Sequence, residues 1–314
     1  MGGVDPVQTL LEETKSICAE LETKRERHYQ IFLMIAPMSF ALICAIAAMK
    51  THEGVFPWVI VWVLTALAVL VEFQISNHLY RKRTKAALLH KIAGALNLQF
   101  SPKGCFPLDA VQKHGILPPY DVEHIEDGFH GTINGIDLGF QEVLLTSRVR
   151  DNEDKIRYEQ SFWGLVLRLK IAKILTAHTV ILPRRKMANF FRRQFTPFQP
   201  VNLVSPTFEK RFDVLSTDQI EARYVLDPAF MERMMEAAAL IDTKDVEISF
   251  LGDEMAFAIE HSRPMFEIGW LFRPLKPETL IDTANELQCV LQLVEALKLN
   301  PYTGLGASLK DKSL

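Results

Sequence analysis

Several features that mark familiar classes of protein are scarce in this sequence. Its four cysteines (Cys18, Cys44, Cys105 and Cys289) include no Cys-x-x-Cys pair, so the sequence predicts neither a disulfide framework nor a zinc site. This cysteine usage fits a reducing compartment. The formal net charge is only -3, with 35 basic and 38 acidic residues. A balance of this kind predicts no nucleic-acid partner.

Established catalytic motifs are also missing. The sequence contains no Gly-x-Ser-x-Gly elbow, phosphate-binding loop or His-Glu-x-x-His helix, so we predict no catalytic residue, no metal and no cofactor. One stretch concentrates potential ligands, because an extended chain would point His124, Glu126 and His130 to the same side. Their spacing matches no established metal pattern. We therefore interpret the stretch as the polar face of an edge strand.

Long apolar runs are what the sequence does have. Ile31–Met49 and Val55–Val71 contain no charged residue, and the second run extends to Ile75 past Glu72. At about 1.5 Å per helical residue, the first run covers roughly the 30 Å core of a bilayer. The sequence therefore predicts a transmembrane helical hairpin over residues 31–75, with spans at 31–49 and 55–75.

The charges that flank the hairpin predict its orientation. Basic residues precede the first span and follow the second: Lys24, Arg25, Arg27, Arg81, Lys82, Arg83 and Lys85. The loop between the spans carries only Lys50 against Glu53. By the positive-inside rule, both termini are cytoplasmic. We expect a two-span protein of the cell (inner) membrane, with the lipid bilayer as its first partner.

Helical segments are predicted on both sides of the hairpin. Residues 1–30 form an amphipathic helix with an apolar stripe at Val7, Leu10, Ile17 and Leu21. This helix either packs on its own domain or self-associates through residues 6–28. Residues 76–100 are expected to continue the second span as a cytoplasmic exit helix.

Residues 101–300 are predicted to form an α+β domain, followed by a flexible tail at 301–314. Asn134-Gly135 between two alternating runs predicts a β-hairpin with a type I′ turn. Further strands are predicted at Phe162–Ile171, His178–Leu182 and Arg211–Leu215, and a second hairpin at Val246–Phe250 with Met255–Ile259. A capping box is predicted at Ser216–Gln219, and two helices are predicted, one from Asp227-Pro228 onward and one at Pro277–Leu299. The order predicts a mostly antiparallel sheet with packed helices, for which a pleckstrin-homology-like topology is one arrangement.

A basic and aromatic segment is a candidate for contact with the membrane surface. Its residues are Arg184, Arg185, Lys186, Phe191, Arg192, Arg193 and Phe195. A helix here would place its aromatic side chains on lipid with cations around them. The alternative is a helix that packs its aromatic side chains on the sheet and leaves its charges in water.

A second set of charges is concentrated around one strand-to-helix junction. Its members are Arg211, Asp213, Asp218, Glu221 and Arg223. They either assemble an enzymatic site from dispersed residues or form a structural ion-pair network. A concave pocket lined by them would favour an enzyme, whereas a filled core with a flat face would favour a binding module.

Besides the hairpin, five segments carry a family resemblance: Gly131–Val143, Phe162–Val166, Thr179–Pro183, Phe208–Val214 and Asp218–Tyr224. On these segments the chain resembles a bacterial two-span membrane-protein family known as domain of unknown function 3137. It implies the two-span topology and a single cytoplasmic domain, and it names no activity or site. We therefore expect a membrane-tethered, non-enzymatic module that binds a partner protein or the inner-leaflet surface, with a membrane-associated enzyme as the alternative.

Overall fold

The structure is a computed structural model that describes residues 6–50, 56–150, 155–184, 198–240, 246–261, 263–267, 274 and 277–297. The chain divides into two compact units. The helical unit comprises Met1–Ile92 and Phe266–Ala284, and the sheet unit comprises Ala93–Met265 and Asn285–Leu314.

Two long helices, α1 (Pro6–Lys50) and α2 (Phe56–Ala95), dominate the helical unit. Ring contacts between them join His28 to Tyr80 at 6.2 Å, Phe32 to Phe73 at 6.2 Å and Phe40 to Trp62 at 4.9 Å. Residue numbers rise along α1 as they fall along α2, so the two helices run antiparallel. The arm and the first apolar run, predicted as separate segments, are one continuous helix.

One helical segment is long and apolar enough to cross a membrane, judged by length and composition within the described residues. It is Trp62–Ala95 in α2, 34 residues long. Several side chains of the first predicted span, including those of residues 46–50, lie outside the described set. The two-span hairpin and its orientation therefore stay predictions.

The sheet unit contains a seven-stranded antiparallel sheet within its described residues. The strands are β1 (Leu98–Ser101), β2 (Val122–Ile133), β3 (Ile136–Arg150), β4 (Ile156–Pro183), β5 (Gln199–Pro200), β6 (Phe212–Ser216) and β7 (Val246–Glu260). They follow the order β1-β2-β3-β4-β6-β5, and β7 pairs with β4. Along β4, β3 and then β6 occupy one edge while β7 occupies the other. The predicted α+β class with a mostly antiparallel sheet is confirmed.

The predicted Asn-Gly hairpin is confirmed. Ile133 pairs with Ile136 around the turn. Asn134 and Gly135 have φ values of 52° and 80°, the positive values that a type I′ turn requires at both central positions. The local sequence was sufficient to predict this hairpin because the turn and both strands lie within a few residues of each other.

Two strand predictions were wrong. Phe162–Ile171 and His178–Leu182, predicted as separate strands, are parts of the single 28-residue strand β4. The predicted hairpin over Val246–Ile259 is instead the single strand β7. Gly252 has a positive φ of 63°, but the chain does not reverse there. Both halves of β7 find a pairing partner along β4, which is irregular opposite that point.

Shorter helices complete the described fold: α3 (Asp109–Gln112), α4 (Pro206–Arg211), α5 (Gln219–Val225), α6 (Pro228–Leu240) and α7 (Pro277–Ala296). The Asp227-Pro228 start is confirmed, because Asp227 Oδ1 accepts from Phe230 N at 2.6 Å. The predicted capping box was wrong, since Asp218 rather than Ser216 caps α5. Helices α4 to α6 interrupt the strand series before β7, which departs from a pleckstrin-homology-like run of strands closed by one helix.

Candidate functional site

The five charged residues predicted to share a site mostly serve the backbone near them. Asp218 Oδ1 caps α5 by accepting from Ile220 N at 2.7 Å and Glu221 N at 3.2 Å. Arg211 donates to the carbonyl oxygen of Ala238 at 3.3 Å. Each of these contacts satisfies a backbone group at or near a helix end, which is the ordinary role of such residues.

Glu221 and Arg223 likewise have structural partners. The Glu221 carboxylate accepts from the backbone N–H groups of Thr176 and Ala177 and from the Thr176 hydroxyl. These bonds lie where the pairing of β4 with β7 is irregular, so Glu221 supplies acceptors that the sheet does not. Arg223 donates from Nε to the carbonyl oxygen of Asn202 at 3.3 Å and from its guanidinium to Gln219 at 3.2 Å.

Asp213 differs from the other four. Its Oδ2 atom is buried and has no hydrogen-bond partner among the described residues. Burial raises the pKa of this carboxyl, and the charge of Arg184 opposes that rise. Asp213 thus keeps an acceptor that no described group uses, which is the kind of group that a ligand could satisfy.

Asp213 lies in the wall of a small groove of about 190 Å³. The groove is lined by Arg184, Pro200, Val201, Asn202, Leu203, Glu209, Phe212, Asp213 and Val214. Two bonds fix its wall: Arg184 donates to the carbonyl oxygen of Glu209 at 3.1 Å, and Glu209 Oε1 accepts from Leu203 N at 2.8 Å. Two carboxyl groups, those of Glu209 and Asp213, and one guanidinium therefore line a common space. Arg211, Asp218, Glu221 and Arg223 do not line it.

The predicted membrane-contact segment is described only at its first residue. Arg184 is exposed and lines the groove. The other six residues, Arg185, Lys186, Phe191, Arg192, Arg193 and Phe195, lie outside the described residues. Their contact with a membrane surface stays a prediction.

The structure contains a buried polar network of His114, His178 and Ser249 that the sequence did not predict. His178 Nε2 lies 2.9 Å from Ser249 Oγ and 3.2 Å from the carbonyl oxygen of His114. Since a carbonyl oxygen only accepts, His178 carries its proton on Nε2. The Ser249 hydroxyl then donates to His114 Nδ1 at 3.0 Å, which places the His114 proton on Nε2, 3.6 Å from Glu254 Oε2.

Charges at one end of this network hold Glu254 ionised. Lys113 Nζ lies 2.5 Å from Glu254 Oε2, and Arg168 donates to Oε1. Burial alone would raise the pKa of Glu254, but the hydrogen bonds and charges of Lys113 and Arg168 lower it to about 2. Burial lowers the pKa of His114 to about 4 and also lowers the pKa of His178. Both imidazoles are therefore neutral at pH 7.

The order of atoms in this network resembles that of a serine hydrolase triad, but its placement does not. Ser249 and His114 are 0% exposed. Ser249 also lies within β7, paired with Val180 of β4, rather than on an exposed turn. A nucleophile must reach a substrate, whereas Ser249 is fully enclosed in this conformation.

The histidines of β2 are not brought into a site. His124 and His130 are both exposed, and His124 contacts Glu126 at 2.5 Å. Register between β2 and β3 shifts between Glu126 and Phe129. Within the described part of the chain, no group of three His, Cys, Asp or Glu side chains is placed to hold a metal ion.

Comparison with known protein families gives a match to part of the chain. A model described as "Protein of unknown function (DUF3137)" matches residues 160–299. The resemblance to this family is confirmed. The DUF3137 match begins in β4 and extends beyond α7, so it includes the groove and most of the buried network. It does not include α1 or α2, and the helical hairpin is not tested by it.

Other comparisons add little. A crystal structure of the mycobacterial trehalose monomycolate transport factor A, TtfA, is similar at 11% identity, covering 70% of this chain and 97% of that chain, with a TM-score of 0.38. A likeness at this TM-score carries no argument about fold or function. The search of curated proteins found no match.

Proposed function

We propose that this chain is an integral membrane protein whose antiparallel helices α1 and α2 cross the bilayer as a hairpin. Both termini then lie on the cytoplasmic side, and the sheet unit serves as a non-enzymatic module that binds a partner. The alternative is a membrane-associated enzyme.

The inverted polarity of the hairpin carries the proposal. Thr65 and Asn77 are buried, at 2% and 6% exposure. They lie on the α2 stripe that includes Phe73 and Tyr80, whose rings meet α1. The opposite face presents leucines such as Leu64 to solvent. A water-soluble helix pair buries its apolar stripe, whereas membrane helices turn polar side chains to the bundle interior.

The exposed apolar surface is too extensive for water. Between Ile31 and Ile75, thirteen large apolar side chains of the described parts of α1 and α2 are 45–70% exposed: Ile31, Leu33, Met34, Ile35, Met38, Leu42, Trp62, Val63, Leu64, Leu67, Leu70, Val71 and Ile75. Each forgoes on the order of 1 kcal/mol by not being buried. Their sum, on the order of 10 kcal/mol, equals the whole stability of a typical domain.

The length of α2 supports a membrane span with a helical extension. Its 40 residues make about 60 Å of helix, roughly twice a bilayer core. The apolar half ends near Ile75, and basic residues follow from Arg81 to Lys85. Their position favours a cytoplasmic extension.

Labelling of single cysteines tests the anchor and its orientation. In a chain whose native cysteines are replaced by serine or alanine, Thr51→Cys should react with a membrane-impermeant maleimide from outside intact spheroplasts. Ser313→Cys should react only after lysis. The reverse pattern would overturn the orientation, and release of the protein by alkaline carbonate would overturn the anchor.

The groove beside β5 supports binding over catalysis. Four of the five candidate charges have structural partners, and the groove holds one buried side-chain acceptor, Asp213 Oδ2, that no described group satisfies. A photo-reactive residue at Asn202 in native membranes should give a defined adduct that Asp213→Asn abolishes. The same probe at exposed Tyr158 is the control. Adducts that are equal at both positions, or that survive Asp213→Asn, would refute the groove as the binding site.

A further inference from the structure

The ring contacts between α1 and α2 show which basic residues lie at the same height along the two helices. His28 meets Tyr80 one to two turns beyond the Phe32–Phe73 contact. Arg27 adjoins His28, and Lys82 and Arg83 follow Tyr80 within one turn, so the three cations lie at a common level of the antiparallel pair.

The neighbouring cations are neutralised, but these three are not. Glu22 lies 2.7 Å from Arg25 and Glu20 lies 2.6 Å from Lys24. Glu267 pairs with Arg81 and, at 2.9 Å, with Lys85. Three basic side chains are exposed and form no ion pair among the described residues: Arg27, Lys82 and Arg83.

We infer that Arg27, Lys82 and Arg83 form a collar that binds the phosphate groups of anionic phospholipids. This inference rests on the proposed membrane anchor. Arg27 lies about 6 Å along the helix from Ile31, and Lys82 lies about 10 Å from Ile75. Long basic side chains extend back toward the interface, so all three reach the headgroup layer.

The proposal commits to lipid rather than to free phosphate. Exposed leucines and isoleucines begin within two turns of each cation, so acyl chains and headgroups meet the hairpin together. Helical geometry turns Lys82 and Arg83 about 100° apart around α2. Several lipids arranged around the pair satisfy such a collar, whereas one small anion does not. A cation near an anionic surface contributes about a five-fold preference for charged lipid.

Spin-labelled lipids measure this preference on the full chain. The protein is reconstituted in phosphatidylcholine, and the motionally restricted fraction is compared for spin-labelled phosphatidylglycerol and phosphatidylcholine. Phosphatidylglycerol should be preferred at low salt, with the preference falling as salt is added. Lys82→Gln should lower the preference about five-fold, and the triple variant Arg27→Gln, Lys82→Gln, Arg83→Gln should abolish it.

Lys91→Gln is the matched control, because Lys91 is an exposed lysine on the same helix about 14 Å further from the span. A triple variant that keeps the preference, or a Lys91→Gln variant that loses as much as Lys82→Gln, overturns the collar. Wild-type protein that resists alkaline extraction but shows no preference overturns the collar alone. Wild-type protein released by alkaline extraction overturns the anchor, and the collar with it.

Discussion

Mild acid should weaken the sheet unit through His114. The imidazole is fully buried, and its pKa is lowered to about 4 by burial. In the unfolded chain the pKa returns to about 6.5. Between these values the unfolded chain binds a proton that the folded chain excludes, so the free energy of unfolding falls as the pH is lowered.

The expected loss can be worked out from these two pKa values. From pH 7.5 to pH 5, His114 alone removes about 2 kcal/mol from the free energy of unfolding. Glu254, with its pKa lowered to about 2, acts in the same direction mainly below about pH 4.5 and contributes little at pH 5. His178 and His261, whose pKa values are also lowered by burial, add to the effect of His114.

Hydrogen exchange on the detergent-solubilised full chain measures this loss. Peptides from β7 should lose about thirty-fold in protection at pH 5, after correction for intrinsic exchange, because 2 kcal/mol corresponds to that ratio. His114→Gln should remove most of the pH dependence. His124→Gln, which alters an exposed histidine, should leave it unchanged. An unaltered dependence in His114→Gln would refute the assignment.

Two further substitutions test the fold. Gly164→Ala should lower the free energy of unfolding by more than about 3 kcal/mol, because a Cβ there would lie 2.0 Å from the carbonyl oxygen of Ile259. Gly94→Ala is the control, because a Cβ at Gly94 meets nothing within 4 Å. Equal thermal stability of the two variants would contradict the packing around Gly164. Asp218→Ala should lower the free energy of unfolding by about 1 kcal/mol through loss of the α5 cap. Asp218→Asn should retain most of that stability, and denaturant unfolding measures the difference between the two variants.

Sequence reasoning succeeded where the determinants were local. Asn134-Gly135 and Asp227-Pro228 each act within a few residues, and both were predicted correctly. The hairpin predicted around Gly252 failed because the decisive partner was β4, some eighty residues earlier. Ser249 lies where both faces of β7 are buried. Its bond to His114 joins positions 135 residues apart, which no local pattern contains.

The polarity of α2 changes along its length, and the change locates the proposed membrane boundary independently of charge counting. Up to Ile75, leucine and valine side chains are exposed while Thr65 is buried. Beyond Asn77, Leu88 and Ile92 are buried, and the exposed positions are mostly basic or small. The second half thus has the polarity of a helix in water. Both halves belong to one uninterrupted helix, and under the proposed topology the change marks the point where lipid gives way to water.

Lysine substitutions on the two sides of this boundary should therefore differ. Leu67 and Leu79 are both about half exposed, but only Leu67 lies within the proposed bilayer core. Leu67→Lys should disfavour insertion by about 3 kcal/mol, the cost of lysine at the centre of a span, and should deplete the carbonate-resistant membrane fraction. Leu79→Lys should insert normally, because its charge joins the basic headgroup level. Equal insertion of both variants would mean that Leu67 does not face lipid, and the exposed apolar belt would then need a protein partner to cover it.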